Sequence, residues 1–179
     1  MGKAPVKGVR GTDHIGITVP DLDEAIAFFT NVLGAEELFR MGPFSDPDGD
    51  WMVENLNVHP RAVLEQFAMV RCHTGANLEI FQYSSPDQRE TGPRNSDVGG
   101  HHIAFYVDDM DSAIAGLKEH GVTILGEPKD VPGTPLEGIR WCYFLAPWGL
   151  QLEFVSYPDG LAYEKETDRR LWNITRPAD

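Results

Sequence analysis

Two stretches of the sequence repeat one pattern and decide the fold. Residues 14–27 read HIGITVPDLDEAIA, residues 102–115 read HIAFYVDDMDSAIA, and eight of these fourteen aligned positions are identical. A shorter match joins residues 77–83 (NLEIFQY) to residues 151–157 (QLEFVSY). Because both matches recur in the same order along the chain, the sequence predicts a tandem of two similar modules.

Each module is predicted to have the element order β-α-β-β-β. The opening run is β-branched and aromatic, which favours a strand, and an Asp-rich turn after it can cap an amphipathic helix. The candidate caps are Asp21 or Asp23 in the first module and Asp109 or Asp111 in the second, and the helices are expected to end at Gly34 and Gly121. Further strands are expected at roughly 36–41, 62–72, 77–83, 122–126, 139–146 and 151–157.

Composition shifts divide the chain into five parts. These are an N-terminal extension (1–10), a first module (11–83), a linker (84–100), a second module (101–157) and a C-terminal tail (158–179). The linker is rich in Pro, Ser, Asp, Asn and Gly. Insertions at 42–60 and 128–138 have the length of binding loops, although ordinary surface loops fit them too. Apolar residues in the tail predict a short packed helix.

Charge and composition exclude several classes of function. The 179 residues include 28 acidic and 15 basic ones, for a formal net charge of −13, which would repel nucleic acid and anionic membranes. No apolar run approaches the ~20 residues that cross a bilayer, and the N-terminus lacks the pattern of a signal peptide, so we expect a cytoplasmic protein. Cys72 and Cys142 stand in apolar runs without metal-ligand spacing and are expected to be small buried hydrophobic residues.

Strand alternation brings two histidines and two glutamates to equivalent positions. The apolar residues of the first strand must cover the helix, so His14 faces the other, concave side of the sheet. The same rule places His102 on that side in the second module and leaves His101 on the opposite face. Glu79 and Glu153 alternate with apolar neighbours in the closing strands and point the same way as the two histidines.

These four side chains together favour a metal site. A glutamate within an apolar strand is unfavourable to bury unless it is paired, hydrogen-bonded or bound to a metal. Imidazole nitrogen and carboxylate oxygen together suit Zn, Ni, Co, Mn or Fe. Taken singly, each histidine could instead be a hydrogen-bonded residue at a strand start, and each glutamate a solvent-facing residue.

The motifs resemble a known family. Residues 13–26 (DHIGITVPDLDEAI) and 101–114 (HHIAFYVDDMDSAI), with NLEIF at 77–81 and QLEFV at 151–155, resemble the vicinal oxygen chelate superfamily. That superfamily includes glyoxalase I, methylmalonyl-CoA epimerase, extradiol dioxygenases and the fosfomycin and bleomycin resistance proteins. The likeness extends over residues 11–157.

The resemblance implies an α+β fold in which tandem βαβββ modules form a cup-shaped mixed sheet around one divalent metal. The implied metal ligands are His14, Glu79, His102 and Glu153. Homodimers are usual in such families. Whether the cup forms within one chain or by exchange of modules between two chains stays open at this point.

Three functions are compatible with this resemblance. The favoured one is an isomerase, epimerase or lactoylglutathione lyase-like enzyme that removes a proton α to a carbonyl through a metal-stabilised enediolate, with Glu79 or Glu153 as the base. The second is an Fe(II) extradiol dioxygenase, although Glu79 as a fourth ligand argues against it. The third is a resistance-type protein that binds a small molecule without chemistry.

The substrate itself is expected to be a small hydroxy-carbonyl compound, polyol ketone or thioester. Methylmalonyl-CoA epimerases typically have Gln where this chain has Glu79, which favours a polyol-type substrate. Substrate-binding candidates are Arg140 as an anion anchor, Tyr106 as a hydrogen-bonding residue, and the aromatic residues Tyr143 and Trp51. Glu54 and Glu65 are spare acids that could supply a second base.

Overall fold

The chain folds into two four-stranded mixed sheets with the same strand order. The computed structural model describes residues 6–177, so part of the predicted N-terminal extension and the last two residues of the tail lie outside it. The elements are β1 (His14–Thr18), α1 (Leu22–Asn31), β2 (Glu36–Met41), α2 (Trp51–Leu56), β3 (Val63–Arg71), β4 (Asn77–Ser84), β5 (Ile103–Tyr106), α3 (Met110–Glu119), β6 (Thr123–Asp130), β7 (Arg140–Leu145), β8 (Gln151–Ser156) and a 3-10 helix (Ala162–Lys165).

Sheet order follows the repeat. The first sheet has the order β1-β4-β3-β2 and the second β5-β8-β7-β6. The opening strand of each sheet pairs in parallel with the closing strand, and the other neighbours pair antiparallel. The opening strands β1 and β5 are therefore edge strands, and each sheet stays separate from the other. The predicted α+β architecture of paired βαβββ modules is confirmed.

The helices begin at aspartates in both modules. Asp21 accepts a hydrogen bond from the backbone N–H of Glu24 at 2.9 Å, so it is Asp21 and not Asp23 that caps α1. Asp109 likewise caps α3 by accepting from the N–H groups of Asp111 and Ser112. Such caps satisfy backbone donors that have no partner within the first helical turn.

The core joins the helix-covered faces of both sheets. Buried residues of the first sheet and α1 form one contiguous cluster with those of the second sheet and α3. Trp148, in the turn between β7 and β8, packs its ring against Phe28 and Phe29 of α1 at centroid distances of 5.8 and 5.9 Å. The modules of one chain thus contact each other through the apolar side that carries the helices.

The insertions and the tail hold structure that the repeat did not predict. The first insertion contains α2, which is too short for apolar periodicity to reveal. Nearby, the Arg61 guanidinium donates to the backbone carbonyls of Asp46, Pro47 and Gly49, which organises the loop before α2. The short helix expected in the tail is a 3-10 helix, a single tight turn at Ala162–Lys165. No helix among residues 6–177 is long and apolar enough to cross a membrane.

The cysteines behave as expected. Cys72 and Cys142 are both buried and unpaired by a disulfide. Burial raises the pKa of Cys72 to about 11, which leaves it a neutral thiol at physiological pH. The prediction that they are small buried hydrophobic residues is confirmed.

Candidate functional site

The first module brings His14 and Glu79 together. Gly16 of β1 is the register partner of Glu79 in β4, and His14 lies two residues before Gly16 on the same face of the strand. The side chains of His14 and Glu79 therefore emerge on the same face of the sheet. The Nε2 atom of His14 lies 3.2 Å from Oε2 of Glu79. On the other side of the ring, Nδ1 lies 2.9 Å from Oδ2 of Asp13. We refer to His14 and Glu79 as half-site one.

The second module repeats this arrangement with His102 and Glu153. Glu153 in β8 is the register partner of Ala104 in β5. The Nε2 atom of His102 lies 3.2 Å from Oε2 of Glu153, and its Nδ1 lies 3.1 Å from Oδ1 of Asn95. We refer to His102 and Glu153 as half-site two.

The hydrogen bonds of the two histidines set the same ring orientation in both half-sites. An oxygen of Asp13 or Asn95 accepts from Nδ1, which directs Nε2 toward the glutamate. The pairing of one ring nitrogen with an oxygen acceptor is how proteins orient histidines that bind a metal through the other nitrogen. Each half-site therefore offers one imidazole nitrogen and one carboxylate oxygen side by side.

The residues paired with Glu79 across the first sheet correspond in position to those paired with Glu153 across the second. In the first sheet, one row of register partners runs from Phe39 through Met69 and Glu79 to Gly16. In the second sheet, the corresponding row is Leu125, Tyr143, Glu153 and Ala104. Directly paired residues share a face, so these rows flank the half-sites. Phe39 and Leu125 are exposed by 51% and 42%, respectively.

The electrostatic environments of the half-sites differ. Burial raises the pKa of the Glu153 carboxyl, against the opposing effect of His102. The hydrogen bond to Asp13 is the main reason why the pKa of His14 is raised, with a further contribution from Glu79. Burial also raises the pKa of Tyr143, whose ring lies edge-on to His102 at a centroid distance of 5.1 Å. Half-site two is thus the more enclosed and less polar of the two.

The two half-sites do not meet within one chain. Across the part of the chain that the structure describes, no three His, Cys, Asp or Glu side chains are grouped closely enough to hold a metal ion. Each half-site has the donor types of a divalent-metal site but only two of the four donors expected from the sequence. The residues present therefore fit half of a metal site in each module.

A cavity between the modules lies elsewhere. Its volume is about 730 Å³, and its walls include Leu78 and Ile103 as well as Trp172 of the tail. None of the four half-site residues lines it. Within one chain, this cavity and the candidate metal-binding side chains therefore lie in different places.

The predicted substrate residues are spread over several places. Tyr143 lies beside His102, as described above. Tyr106 is on the same sheet face, its ring 5.1 Å from that of Tyr157, and it borders the cavity between the modules. Trp51 begins α2 and packs edge-on against Phe44 at 5.0 Å.

Arg140 lies on the other face of its strand. It alternates with Trp141 and shares the helix-covered side with the buried Cys142. Its guanidinium pairs with Asp111 in the first turn of α3 at 3.1 Å. Strand alternation therefore directs this cation away from Glu153, and we leave the anion-anchor hypothesis for Arg140 aside. Of the spare acids, Glu65 accepts a hydrogen bond from Ser84 at 2.6 Å.

Sequence reasoning missed Asp13 and Asn95. Asp13 directly precedes His14 in the repeated motif, so its position next to a candidate ligand was a usable signal. Asn95 lies in the predicted linker, a segment without periodicity, and nothing in the sequence connected it with His102. The linker nevertheless folds back and supplies the oxygen that orients this histidine.

Comparison with known proteins agrees with the fold and its repeat. Residues 11–154 match the Glyoxalase/Bleomycin resistance protein/Dioxygenase superfamily, and the chain belongs to this superfamily. The vicinal oxygen chelate resemblance is thereby confirmed. A solved glyoxalase family protein from Bacillus cereus superposes with a TM-score of 0.63 at 23% identity, over 86% of this chain and 98% of that one.

Several relatives have a named activity, and two of them serve as examples. The chain is 44% identical to a 2-epi-5-epi-valiolone epimerase from an Actinomyces species, over 93% of this chain and 90% of that protein. It is 30% identical to the mitochondrial methylmalonyl-CoA epimerase of Bos taurus, over 70% of this chain and 63% of that protein. Both relatives are epimerases, so this chain resembles the epimerases of the superfamily.

Proposed function

We propose that the chain is a metal-dependent epimerase that inverts a stereocentre next to the carbonyl of a small polyhydroxylated ketone. The observation that carries the proposal is the repeated His–Glu pair, with the same 3.2 Å Nε2···Oε2 geometry in both modules. The 44% identity to a 2-epi-5-epi-valiolone epimerase across nearly the full length of both proteins supports the reaction type and the substrate class.

His14, Glu79, His102 and Glu153 are the residues that would hold a divalent ion. Such an ion, when bound, withdraws charge from a carbonyl oxygen and makes the neighbouring carbon more acidic. The histidines and glutamates supply borderline nitrogen and hard oxygen donors, which suits Zn, Ni, Co, Mn or Fe.

The glutamates would also move the proton. Epimerisation needs a base that takes the proton from the carbon next to the carbonyl and an acid that returns it to the opposite face. Glu153 suits the base role because it is the more enclosed of the two carboxylates, with 12% of its side chain exposed against 25% for Glu79. Glu79, the matching carboxylate of half-site one, suits the return of the proton.

A polyhydroxylated ketone fits this chain better than an acyl thioester. The valiolone epimerase match is both closer and longer than the methylmalonyl-CoA epimerase match. Glu79 stands where methylmalonyl-CoA epimerases typically have Gln. The phenol groups of Tyr143 and Tyr106 can donate to or accept from substrate hydroxyls.

Solvent exchange tests this function directly. Protein supplied with each candidate metal in turn is incubated in D₂O with 2-epi-5-epi-valiolone, and separately with methylmalonyl-CoA, and followed by NMR. We expect deuterium at the carbon next to the ketone together with the inverted epimer. Deuterium exchange only with methylmalonyl-CoA would overturn the proposed substrate class. Oxygen uptake with catechols, without deuterium exchange in either substrate, would overturn the proposed reaction type.

Variants test whether the reaction depends on each of the two carboxylates. E153Q and E79Q remove the charge of each carboxylate with little change of shape and should each lower kcat by about 10²- to 10⁴-fold, the range of acid–base catalysis. E119Q makes the same chemical change at an exposed residue of α3 and serves as the matched control. Equal activities of E153Q and E119Q would contradict the base role of Glu153.

A further inference from the structure

We infer that Lys129 and Trp141 form a subsite that binds the hydroxyl-bearing ring of the substrate. We refer to these two residues as the polyol subsite. The inference rests on the epimerase function proposed above. It goes beyond that function because it assigns substrate recognition to two residues that take no part in moving the proton.

The polyol subsite lies in the row of register partners next to the row of Glu153. Val155 follows Glu153 by two residues in β8 and therefore lies on the same face of the sheet. Trp141 of β7 is the register partner of Val155, and Lys129 of β6 is the register partner of Trp141. Same-face neighbours along a strand are about 6.5 Å apart, which is close to the length of a six-membered ring with its substituents. A ring bound beside Glu153 therefore reaches the row of Trp141.

The corresponding row of the first sheet has a different chemistry. Met41 of β2 stands in the position of Lys129. Its register partner Phe67 stands in the position of Trp141, in the row of Phe81. The two modules thus repeat the candidate metal-binding residues but not the row beside them. A cation and an indole are present at these positions only in the second module.

Trp141 continues a chain of aromatic rings that starts at His102. The ring of Tyr143 lies 5.1 Å from that of His102 and 4.9 Å from that of Trp141, and both contacts are edge-on. Trp141 is half-buried, so its indole is held by Tyr143 and keeps part of its surface accessible. An aromatic face can pack against the C–H groups of a polyol ring and leave the hydroxyl groups at the rim free for hydrogen bonds.

Lys129 supplies a charged donor next to this indole. The following residue, Asp130, is the register partner of Arg140 on the helix-covered face, where Arg140 forms an ion pair with Asp111. Lys129 is exposed and forms no ion pair with any carboxylate in the described part of the chain. Its ammonium group has three donors, which suits hydrogen bonds to hydroxyl oxygens.

The charge of the surroundings favours a neutral ligand over an anionic one. The carboxylate of Glu153 lies in the neighbouring row, and the whole chain has a formal net charge of −13. Both repel a ligand carboxylate, whereas a neutral polyol is not repelled. A donor beside an aromatic face, in acidic surroundings, therefore points to a polyhydroxylated ring.

Binding of an unreactive analogue tests the inference. The alcohol made by reducing the ketone of 2-epi-5-epi-valiolone keeps the ring and its hydroxyls but cannot be epimerised. Calorimetric titration of the metal-loaded protein should give an affinity about 3- to 10-fold weaker in W141L, which lacks the aromatic ring. K129M lacks the charge and should bind about 10-fold more weakly. K118M, at an exposed residue of α3, and W172L in the tail are the matched controls and should keep wild-type affinity.

Two further measurements separate direct contact from a structural role. Removing the hydroxyl that Lys129 contacts should weaken binding to the wild-type protein but not to K129M, whereas additive losses for every hydroxyl would overturn the role of Lys129. With the reactive ketone, both subsite variants should raise KM with little change in kcat, because stacking and hydroxyl contacts are equal in the ground and transition states. A loss of kcat at unchanged KM would overturn recognition as their role.

A measurement on the wild-type protein covers the case in which W141L does not fold by circular dichroism. Saturation of the aromatic protons in an NMR transfer experiment should reach the C–H protons on one face of the bound alcohol. Equal transfer to both faces would overturn the stacking on Trp141.

The outcomes also keep this inference separate from the proposed reaction. Weaker binding of the alcohol to W141L and K129M, with a wild-type protein that exchanges no deuterium, would support the polyol subsite and overturn the proposed function. Deuterium exchange by the wild-type protein, with equal alcohol affinities in all four variants, would overturn the polyol subsite alone. Weaker binding of methylmalonyl-CoA but not of the alcohol to K129M would identify a carboxylate-binding lysine and likewise overturn the subsite.

Discussion

The two candidate metal-binding histidines have different hydrogen-bond partners. Nδ1 of His14 is held by the carboxylate of Asp13, and Nδ1 of His102 by the side-chain oxygen of Asn95. The histidines and glutamates could be predicted because alternation in a strand fixes the face of every second residue. Asn95 could not, because a linker imposes no such periodicity and its contact with His102 depends on the folded path of the chain.

Replacing Asn95 should weaken metal binding without unfolding the protein. N95A removes the oxygen that orients His102, and loss of such a partner typically lowers metal affinity by about 10- to 100-fold. N95D should restore most of the affinity, because a carboxylate does the same for His14. Competition with a chromophoric chelator gives the affinity. Wild-type affinity in N95A, or failure of N95D to rescue it, would contradict the positioning role, and N55A in α2 is the matched control.

The strands and helices were predictable where the sequence has a sustained period. The three strands after each helix lie within a few residues of the expected positions, and β6 runs on to Asp130, into the predicted second insertion. The six-residue helix α2 escaped prediction because it is shorter than two helical turns. Two aspartates lie near the start of each helix, and either side chain can reach a free backbone N–H. The spacing in the sequence therefore could not predict which aspartate caps the helix.

The cap of α3 should contribute measurably to stability. Asp109 accepts from two backbone N–H groups, at 2.9 and 3.1 Å, and D109A should lower the free energy of unfolding by about 1 kcal/mol. D109N keeps an acceptor and should lose much less. Urea denaturation measures the difference, with D108A at the exposed neighbour as control. Equal losses in D109A and D108A would contradict the cap.

The same cap has a defined pH dependence. Hydrogen bonds from the backbone and side chain of Ser112 lower the pKa of Asp109. The contribution of a carboxylate with a lowered pKa is fully present above its unfolded-state pKa and is lost as the pH falls through the folded-state pKa. The stability difference between the wild-type protein and D109A should therefore narrow in acid.

At the scale of the molecule, the repeat predicted two modules but not how they pack. The contact between modules depends on Trp148, a turn residue outside both repeated motifs, and on Phe28 and Phe29 of α1. Alternation identifies the candidate metal-binding side of each sheet separately. It contains no information on whether the two sides face each other within one chain, because that depends on which apolar surfaces the modules bury together.

Loss of the Trp148 ring should destabilise the association of the modules. W148A removes aromatic packing against two core phenylalanines and should lower the free energy of unfolding by roughly 2–4 kcal/mol. Trp172 is 61% exposed, so W172A should change it by less than about 0.5 kcal/mol. The melting temperatures of W148A and W172A are measured by thermal unfolding at the same protein concentration. Similar melting temperatures for the two variants would contradict this role of Trp148.

The unequal partners of the histidines also have a stereochemical consequence. A pocket built from two identical halves would look the same to a ligand entering in either of two orientations related by a half-turn. Because Asp13 is anionic and Asn95 is neutral, the imidazole on one side is more electron-rich than the one on the other. In a metal site that contained both half-sites, this difference would make the two ends of the pocket chemically unlike, and a chiral ligand would bind in one preferred orientation.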